Sequence, residues 1–331
     1  MTSTASTYAA AHLKPNGPGD ARPTALQIVK DEQREGSLAD KVVLITGCSS
    51  GLGIETARAM KATGATIFVT ARNLEKARTV LGDVLDHIQV HLLKLDLESF
   101  ESVRACVAEL KAKTNKLNIL IENAGIRHVP EGRTKGGFEL HWGINHLSHF
   151  LLFELLRPML LESSTPDFQS RVVIVSSTAH RNAPMDFSNL NWENRKYDPF
   201  LAYGQSKLAN VYTASEIERR YGAQGLHAWS VHPGGIRTGL QKPNLHDALI
   251  FFKSGVMTTL RSMMSPEQGA STSVWAAVSR ELEGRGGKYL ERNRISEPRK
   301  GESVIEAGHA EWAYDEEKAK KLYDISLASV Q

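Results

Sequence analysis

The stretch VVLITGCSSGLG, residues 42–53, decides the predicted fold. It joins a short apolar run to a glycine-rich turn, and a segment with helical apolar spacing follows from Leu52 to Ala62. Glycines let the backbone approach a phosphate closely, and the first turn of a helix offers free N–H groups with positive partial charge. The spacing is GxxxGxG, not the common GxGxxG. Because the loop follows a strand and opens a helix, we interpret it as a dinucleotide-binding loop; a purely structural turn is the alternative.

The same alternation of strand and helix continues along the chain. Short apolar runs such as ATIFVT (65–70), LNILI (117–121) and VVIV (172–175) are separated by segments with helical spacing. Strands that are continuously apolar indicate a parallel sheet that is buried on both faces. We therefore predict an α/β fold, a Rossmann-type doubly wound parallel sheet with right-handed crossovers, in a single domain.

The composition excludes several classes of protein. The chain has 331 residues and a formal net charge of only +3, which argues against a nucleic-acid-binding protein. Its two cysteines are too few for a disulfide framework or a four-ligand zinc site, and they fit a reducing compartment. We expect no metal site, no stable membrane insertion and a cytoplasmic location; a mitochondrial transit peptide is a less favoured alternative.

The end of the second predicted strand bears on the choice of cofactor. It reads Val69-Thr-Ala-Arg-Asn73 and has no acid that could bond the 2′-hydroxyl of an adenosine ribose. Arg72 could instead pair with a 2′-phosphate through charge-assisted hydrogen bonds. The sequence therefore predicts NADP (NADPH) as the cofactor, and a solvated arginine at a strand end is the alternative reading of Arg72.

A tyrosine and a lysine are placed for acid–base chemistry. In YGQSK, residues 203–207, the i, i+4 spacing puts Tyr203 and Lys207 on one face of a helix. A free tyrosine has a pKa near 10, and a nearby ammonium favours the phenolate and lowers that pKa. Ser176 and Ser177 end the fifth predicted strand, at the sheet edge where α/β proteins bind ligands. A cap or turn is the alternative role for these serines.

Several motifs in one order resemble the short-chain dehydrogenase/reductase family, in particular its branch of retinol dehydrogenases, WW-domain oxidoreductases and their plant and fungal relatives. The motifs are TGCSSGLG (46–53), LDL (95–97), NAG (123–125), NHLSHF (145–150), IVSS (174–177), YGQSK (203–207) and HPGGIRT (232–238). The resemblance spans roughly residues 38–328.

The resemblance implies a catalytic set of Asn145, Ser177, Tyr203 and Lys207. In the family, the asparagine holds a proton-relay water, the serine polarises the carbonyl and the tyrosine is the acid/base. The lysine lowers the pKa of the tyrosine and binds the nicotinamide ribose. The loop, the strand end and the resemblance together predict the cofactor-binding positions Gly47, Ser49, Ser50, Gly51, Leu52, Gly53, Arg72, Asp96, Leu97, Asn123, Ala124, Gly125, Tyr203, Lys207, Pro233, Gly234, Ile236 and Thr238.

The predicted organisation follows from these motifs. Residues 1–23, rich in Thr, Ser, Ala, Gly and Pro, are expected to be a disordered arm. Residues 24–40 are predicted to form a short helix and linker, and residues 41–328 an NADP-binding Rossmann domain. By the resemblance, this domain has an insertion at 178–202 and a substrate lid at about 240–264.

Glu122 is a departure from the family pattern, because Glu-Asn-Ala-Gly replaces Asn-Asn-Ala-Gly. The long gap between Ser177 and Tyr203 is a second departure, and it makes the register of Ser177 less certain.

We expect the insertion and the lid to form an apolar substrate pocket. The expected lining residues are Phe187, Trp192, Tyr197, Phe200, Leu240, Leu245, Leu249, Ile250, Phe251, Phe252, Met257, Leu260, Met263 and Met264. Such a lining suits a lipophilic ligand, although these residues could equally pack the lid onto the core.

The leading hypothesis is an NADP(H)-dependent oxidoreductase that interconverts a small lipophilic ketone or aldehyde and its alcohol, in a biosynthetic pathway. A catalytically silent dinucleotide-binding regulator or scaffold is one alternative, and non-redox use of the same site is another. A homo-oligomer is left open.

Overall fold

The computed structural model describes residues 7–236, 255–301 and 306–331. Thr238 and the first part of the predicted lid, up to residue 254, lie outside the described residues.

Within these ranges the strands form one sheet. They are β1 (Val42–Ile45), β2 (Thr66–Ala71), β3 (Val90–Lys94), β4 (Ile119–Glu122), β5 (Ser170–Val175), β6 (Leu226–His232), β7 (Lys288–Glu291) and β8 (Arg294–Ile295). Their order is β3-β2-β1-β4-β5-β6-β7-β8. Strands β1 to β7 are parallel, which confirms the predicted doubly wound sheet. The edge strand β8 is antiparallel to β7 and was not predicted, because two residues are too short for an apolar pattern.

Helices cover both faces of the sheet. They are α1 (Ala25–Asp31), α2 (Leu52–Ala62), α3 (Leu74–Leu81), α4 (Phe100–Lys113), α5 (Ser148–Glu162), α6 (Pro199–Tyr221), α7 (Val256–Ser262), α8 (Pro266–Gly269), α9 (Ser271–Val278) and α10 (Glu316–Val330). In the part of the chain that the structure describes, no helix combines the length and the apolarity needed to cross a membrane.

Strand β1 shows why the strands are continuously apolar. Val42 and Leu44 belong to the core on the side of α4, α5, α6 and α10, whereas Val43 and Ile45 belong to the core on the side of α1, α2, α3 and α9. All four side chains are buried. Alternate residues of a strand point to opposite faces, so burial of both faces requires an apolar side chain at every position.

Apolar spacing in the sequence predicts one long helix over residues 138–161, and in the structure this segment begins differently. A π-helical turn, Trp142–Leu147, precedes α5. Turns of this kind are rare and frequently lie at functional sites. This one carries Asn145, a predicted catalytic residue.

The expectation of a disordered arm is wrong for residues 7–23. The guanidinium of Arg22 is buried and donates hydrogen bonds to the carbonyl oxygens of Ser262 and Met263 at 2.8 and 2.6 Å. His12 contacts Asn293 through its ring nitrogen at 3.0 Å. Buried hydrogen bonds to the domain therefore order a segment that has little apolar surface to bury.

Candidate active site

A cavity of about 1100 Å³ opens at the carboxyl edge of the sheet. This is where open α/β sheets bind ligands. The predicted positions that line it are Gly47, Ser49, Ser50, Gly51, Leu52, Arg72, Asp96, Leu97, Asn123, Ala124, Gly125, Ser177, Tyr203, Lys207, Pro233, Gly234 and Ile236. Gly53 and Asn145 lie behind its wall.

The glycine loop is shaped by backbone packing. Gly47 has a φ of 77°, and a Cβ there would lie 2.8 Å from the Cα of Ala124. A Cβ on Gly53 would lie 2.3 Å from the carbonyl oxygen of Gly47. The side-chain amide of Asn123 donates a hydrogen bond to the carbonyl oxygen of Thr46 at 2.9 Å, which ties the loop to the residues after β4. The resulting cradle at the start of α2 fits the pyrophosphate of a dinucleotide.

Arg72 and Glu98 form an ion pair at the adenosine end of the predicted cofactor site. The two side chains are 2.7 Å apart, and 69% of the Arg72 side chain is exposed. Glu98 was not predicted as a site residue, although it follows the LDL motif directly. A cofactor phosphate would compete with Glu98 for the arginine.

The side chains of Ser177 and Tyr203 lie close together in the cavity wall, where the hydroxyl of Ser177 lowers the pKa of the tyrosine. The hydroxyl of Ser177 also accepts a hydrogen bond from the backbone N–H of Ala179 at 3.2 Å. The hydroxyl of Ser176 instead donates to the carbonyl oxygen of Lys207 at 2.7 Å, so it is engaged with the backbone of α6. This geometry favours Ser177 over Ser176 as the serine that faces a reacting oxygen.

The charge near Tyr203 differs from the expectation. Burial raises the pKa of Tyr203 above its ordinary value, whereas Ser177 and the charge of Arg127 lower that pKa. The Nζ of Lys207 lies 5.8 Å from the centroid of the tyrosine ring. Arg127 is therefore a second cation near the tyrosine that the sequence did not indicate, and the effect of Lys207 on the tyrosine pKa stays a prediction.

Lys207 lines the cavity and is otherwise buried. Its Nζ donates a hydrogen bond to the carbonyl oxygen of Val175 at 2.8 Å. Burial lowers the pKa of Lys207 to about 8, while the charge of Glu122 acts in the opposite direction. Lys207 therefore changes its charge just above neutral pH.

Asn145 is hydrogen-bonded to the loop after β4 and to α6. Its Oδ1 accepts a hydrogen bond from the backbone N–H of Ile126 at 2.8 Å, and its Nδ2 donates to the carbonyl oxygen of Ile126 and to the hydroxyl of Ser206, each at 3.0 Å. A Cβ on Gly125 would lie 3.0 Å from Asn145 Oδ1 and 3.5 Å from Lys207 Nζ. These contacts lock the loop after β4 against α6.

Glu122 ends β4 inside the protein. It is 2% exposed, and its Oε1 has no hydrogen-bond partner among the described residues. Burial raises the pKa of this carboxyl well above its ordinary value, and the charge of Lys207 opposes that effect. The family departure noted in the sequence therefore places an ionisable group next to Lys207.

The aromatic residues of the insertion do not line the cavity. Trp192 is 2% exposed, and the hydroxyl of Tyr197 donates a hydrogen bond to Glu139 at 2.9 Å. Phe187 packs against the core, and the ring of Phe200 lies 4.1 Å from that of His128. The expected aromatic lining is wrong, because these rings find contacts inside the protein.

In the described part of the predicted lid, most of the expected residues do line the cavity. Leu260, Met263 and Met264 line the cavity, whereas Met257 does not and is 61% exposed. The backbone N–H of Met264 donates to the carbonyl oxygen of Gly235 at 2.9 Å, which fixes this end of the lid to the HPGG motif. Leu240, Leu245, Leu249, Ile250, Phe251 and Phe252 lie outside the described residues.

Several further ionisable side chains of the lining were missed by sequence reasoning. They are Arg127, His128, Arg181, His232, Glu291, Arg292, Arg299 and Glu306. Arg127 and His128 lie two and three residues after the NAG motif, and this position after β4 is a signal that could have identified them. Arg292 lies in the turn to the unpredicted strand β8, so the sequence offered no comparable signal.

Comparisons with known proteins agree with this geometry. The family model described as short chain dehydrogenase matches residues 41–248. The short-chain dehydrogenase/reductase prx1 of Penicillium roqueforti is 46% identical over 320 residues, which are 97% of this chain and 94% of that protein. Human retinol dehydrogenase 13 is 35% identical over 301 residues, or 89% of this chain and 86% of that protein.

A solved structure shares the fold as well. A crystal structure of a protein from Mycobacterium paratuberculosis matches with a TM-score of 0.68 and 32% identity, and it covers 94% of this chain and 98% of that one. The chain therefore belongs to the short-chain dehydrogenase/reductase family of oxidoreductases, in its retinol dehydrogenase-like branch.

Proposed function

We propose that this protein is an NADP(H)-dependent oxidoreductase that interconverts a lipophilic ketone or aldehyde and its alcohol. The observation that carries the proposal is the placement of Ser177 beside Tyr203 in the wall of a cavity that also contains the glycine cradle. Together they provide a proton donor and a second hydroxyl for one substrate oxygen, beside a site for a dinucleotide.

Each residue of the proposed site has a separate role in the reaction. A bound nicotinamide dinucleotide would supply or accept the hydride. Because burial raises the pKa of Tyr203, its phenol is protonated at neutral pH and can give a proton to a carbonyl oxygen. Ser177 donates a hydrogen bond to the same oxygen. Asn145 and Lys207 keep the neighbouring backbone in place through their hydrogen bonds to Ile126 and Val175.

The preference for NADP over NAD rests on Arg72. Its guanidinium is exposed at the end of β2, where a 2′-phosphate of the cofactor would reach it. The phosphate carries more charge than the carboxylate of Glu98 and would displace it from the arginine.

The lipophilic character of the substrate is supported by the lid and by a relative. Leu260, Met263 and Met264 give the cavity an apolar side, and methionine adapts to ligands of irregular shape. The name of human retinol dehydrogenase 13 specifies a lipophilic alcohol.

The test is NADPH oxidation against a panel of lipophilic ketones, aldehydes and quinones, with NADH in parallel. We expect turnover with NADPH and poor turnover with NADH. Tyr203→Phe should lower kcat by about 10²–10⁴-fold and leave NADPH binding unchanged, because only the proton donor is lost.

Each outcome separates the candidate functions. Tight NADPH binding without turnover in either direction would contradict the enzyme proposal and favour a silent dinucleotide-binding protein. Product formation without cofactor consumption would indicate non-redox use of the site. Equal rates with NADH and NADPH would refute the role given to Arg72.

A further inference from the structure

Residues 7–23, which we call the N-terminal segment, form part of the cavity wall. Three of its residues line the cavity, namely His12, Pro15 and Arg22. His12 contacts Asn293 in the turn between β7 and β8, whereas Arg72, at the predicted adenosine end, follows β2. Because β2 and β7 lie near opposite ends of the sheet, the N-terminal segment borders the cavity far from that end. It therefore lies on the substrate side of the cavity.

The N-terminal segment caps the carboxyl end of α7. Nη1 of Arg22 donates a hydrogen bond to the carbonyl oxygen of Ser262 at 2.8 Å, and Nη2 donates to that of Met263 at 2.6 Å. The backbone N–H of Gly17 donates to the carbonyl oxygen of Arg261 at 2.8 Å. The last carbonyl groups of a helix have no partner inside the helix, and the helix dipole also favours a cation there. Arg22 thus supplies what this helix end lacks.

Helix α7 buries little of its own surface within the described part of the chain. It has seven residues, of which Thr259 is buried, whereas Val256 and Met257 are 57% and 61% exposed. A helix of this length gains little stability from its own hydrogen bonds. The position of α7 and of the cavity-lining residues 260–264 therefore depends on the contacts at its carboxyl end.

Gln268 holds the backbone around Arg22 in place. Its Nε2 donates hydrogen bonds to the carbonyl oxygens of Asp20 and Arg22 at 3.1 and 3.0 Å, and its Oε1 accepts one from the backbone N–H of Gly19 at 2.9 Å. Gln268 is buried in α8, next to Gly269, where a Cβ would lie 2.8 Å from the side chain of Leu52. The N-terminal segment is thus fixed to a helix that packs closely on α2.

The cavity side of the N-terminal segment suits an apolar ligand. Burial lowers the pKa of His12 to about 4, so its ring is uncharged at neutral pH. The guanidinium of Arg22 pairs with Asp20 at 2.8 Å and donates its other hydrogen bonds to backbone carbonyl oxygens. Arg22 therefore holds the protein's own backbone, and the residues that it fixes give this side of the cavity an apolar surface.

We propose that the N-terminal segment is part of the substrate site and that Arg22 is a positioning residue. Its guanidinium holds residues 260–264 where Leu260, Met263 and Met264 contact the apolar part of the substrate. The affinity for substrate then depends on a segment that precedes the Rossmann domain, while proton transfer by Tyr203 does not. This inference rests on the oxidoreductase function proposed above.

Arg22→Met tests this role, because it removes every hydrogen-bond donor of the side chain and keeps its length. With the substrate found in the panel, we expect KM to rise at least about tenfold and kcat to stay within about threefold, as for a loss of ground-state contacts. NADPH affinity should also stay within about threefold of wild type. Arg22→Lys should raise KM less than Arg22→Met does, because an ammonium can still donate to a carbonyl oxygen.

Arg34→Met is the matched control. The guanidinium of Arg34 is also buried and donates to a backbone carbonyl oxygen, that of Val278 at 2.9 Å, but it lies outside the cavity lining. Both variants should lower the thermal midpoint, whereas Arg34→Met should leave KM within about threefold of wild type. An equal rise of KM in the two variants would show that lost stability explains the effect, and would overturn the inference.

Hydrogen–deuterium exchange measures the anchoring without any substrate. The backbone N–H of Met263 bonds the carbonyl oxygen of Thr259 at 3.2 Å, and that of Met264 bonds Gly235 at 2.9 Å. We expect residues 259–264 to exchange faster in Arg22→Met than in the wild type, and at the wild-type rate in Arg34→Met. Unchanged exchange in Arg22→Met, or faster exchange with an unchanged KM, would overturn the role of Arg22.

The inference is tested separately if no compound of the panel turns over. The proposed function then fails, and calorimetry measures the binding of 1-decanol to the NADPH-treated protein. Affinity that falls at least about fivefold in Arg22→Met and is retained in Arg34→Met supports the N-terminal segment as part of an apolar binding site. Equal affinity in the two variants overturns the inference, and so does a wild-type protein that does not bind decanol.

Discussion

The two halves of the cavity are built in different ways. The cofactor half consists of backbone from two short segments, the loop at 47–53 and the NAG motif at 123–125, which pack directly on one another. The substrate half consists of side chains from distant positions, among them Arg127, Arg181 and Arg292. A site made of backbone requires glycines at set spacings and so leaves a continuous signature. A site made of side chains depends on which loops converge, and side chains such as Arg181 and Arg292 leave no continuous signature.

Ser177 lies where the two halves meet, and among the variants that compare the two halves its removal should have the largest effect. We expect Ser177→Ala to lower kcat by about 10²–10³-fold, because one hydrogen-bond donor to the reacting oxygen is lost. Steady-state kinetics with the substrate found in the panel, beside a measurement of NADPH affinity, checks this.

Ser176→Ala is the matched control. Its hydroxyl donates to the backbone of Lys207, so we expect kcat within about threefold of wild type and a free energy of unfolding lower by about 0.5–1.5 kcal/mol. If Ser176→Ala were the variant without activity, the register of the two serines would be reversed.

Gly53→Ala tests the backbone character of the cofactor half. The added methyl group would lie 2.3 Å from the carbonyl oxygen of Gly47 and 2.8 Å from Nδ2 of Asn123, so the loop must move. Overpacking of this kind costs about 1–3 kcal/mol. We expect NADPH affinity to fall about 5- to 150-fold in a fluorescence titration, because each 1.4 kcal/mol is a factor of ten.

Gly222→Ala provides the comparison for Gly53→Ala. A methyl group there would meet the movable carboxylate of Glu218, far from the cavity, and should leave NADPH affinity unchanged. Unchanged affinity in Gly53→Ala would mean that the cofactor half tolerates side chains as the substrate half does.

Glu122→Gln should produce the smallest effect, a shift of a pH profile. The carboxylate of Glu122 raises the pKa of Lys207, which burial lowers to about 8. Without that negative charge the pKa of Lys207 falls further, so the alkaline limb of kcat/KM should move to lower pH. His149, which is also affected by the charge of Lys207, stays neutral because burial lowers its pKa to about 3.

A profile from mildly acidic to alkaline pH measures this shift, and the thermal midpoint confirms that the variant is folded. An alkaline limb that stays in place, or moves to higher pH, would show that Glu122 does not influence Lys207 in the working enzyme. Glu122→Asn, which restores the residue that the family pattern has, should shift the limb in the same direction as Glu122→Gln.

Local patterns predicted much of the fold. The bounds of α2 at Leu52–Ala62 agree with the sequence prediction, because helical apolar spacing and the nearby glycines Gly51 and Gly64 mark both ends. Local patterns could not predict that residues 7–23 are an ordered segment. The order of this segment depends on hydrogen bonds from Arg22 to residues near position 262, and such partners leave no trace in the composition of the segment.

The catalytic residues illustrate the same limit. The spacing of Tyr203 and Lys207 identified both side chains, yet the sequence did not indicate Arg127. In the folded protein the charge of Arg127 lowers the pKa of the tyrosine, and burial outweighs this effect. Such balances depend on distance and solvent exclusion, which are properties of the packed structure.

By itself, the sequence determined the doubly wound sheet, the dinucleotide loop and the identity of the Tyr203–Lys207 pair. These features depend on residue type at short, regular spacing, since strands, helices and glycine turns are local structures. Only the tertiary structure decided which charged side chains line the substrate half, that residues 7–23 are ordered and that Glu122 is buried beside Lys207. Each arises from contacts between residues far apart in the chain, so it exists only once the sheet has brought them together.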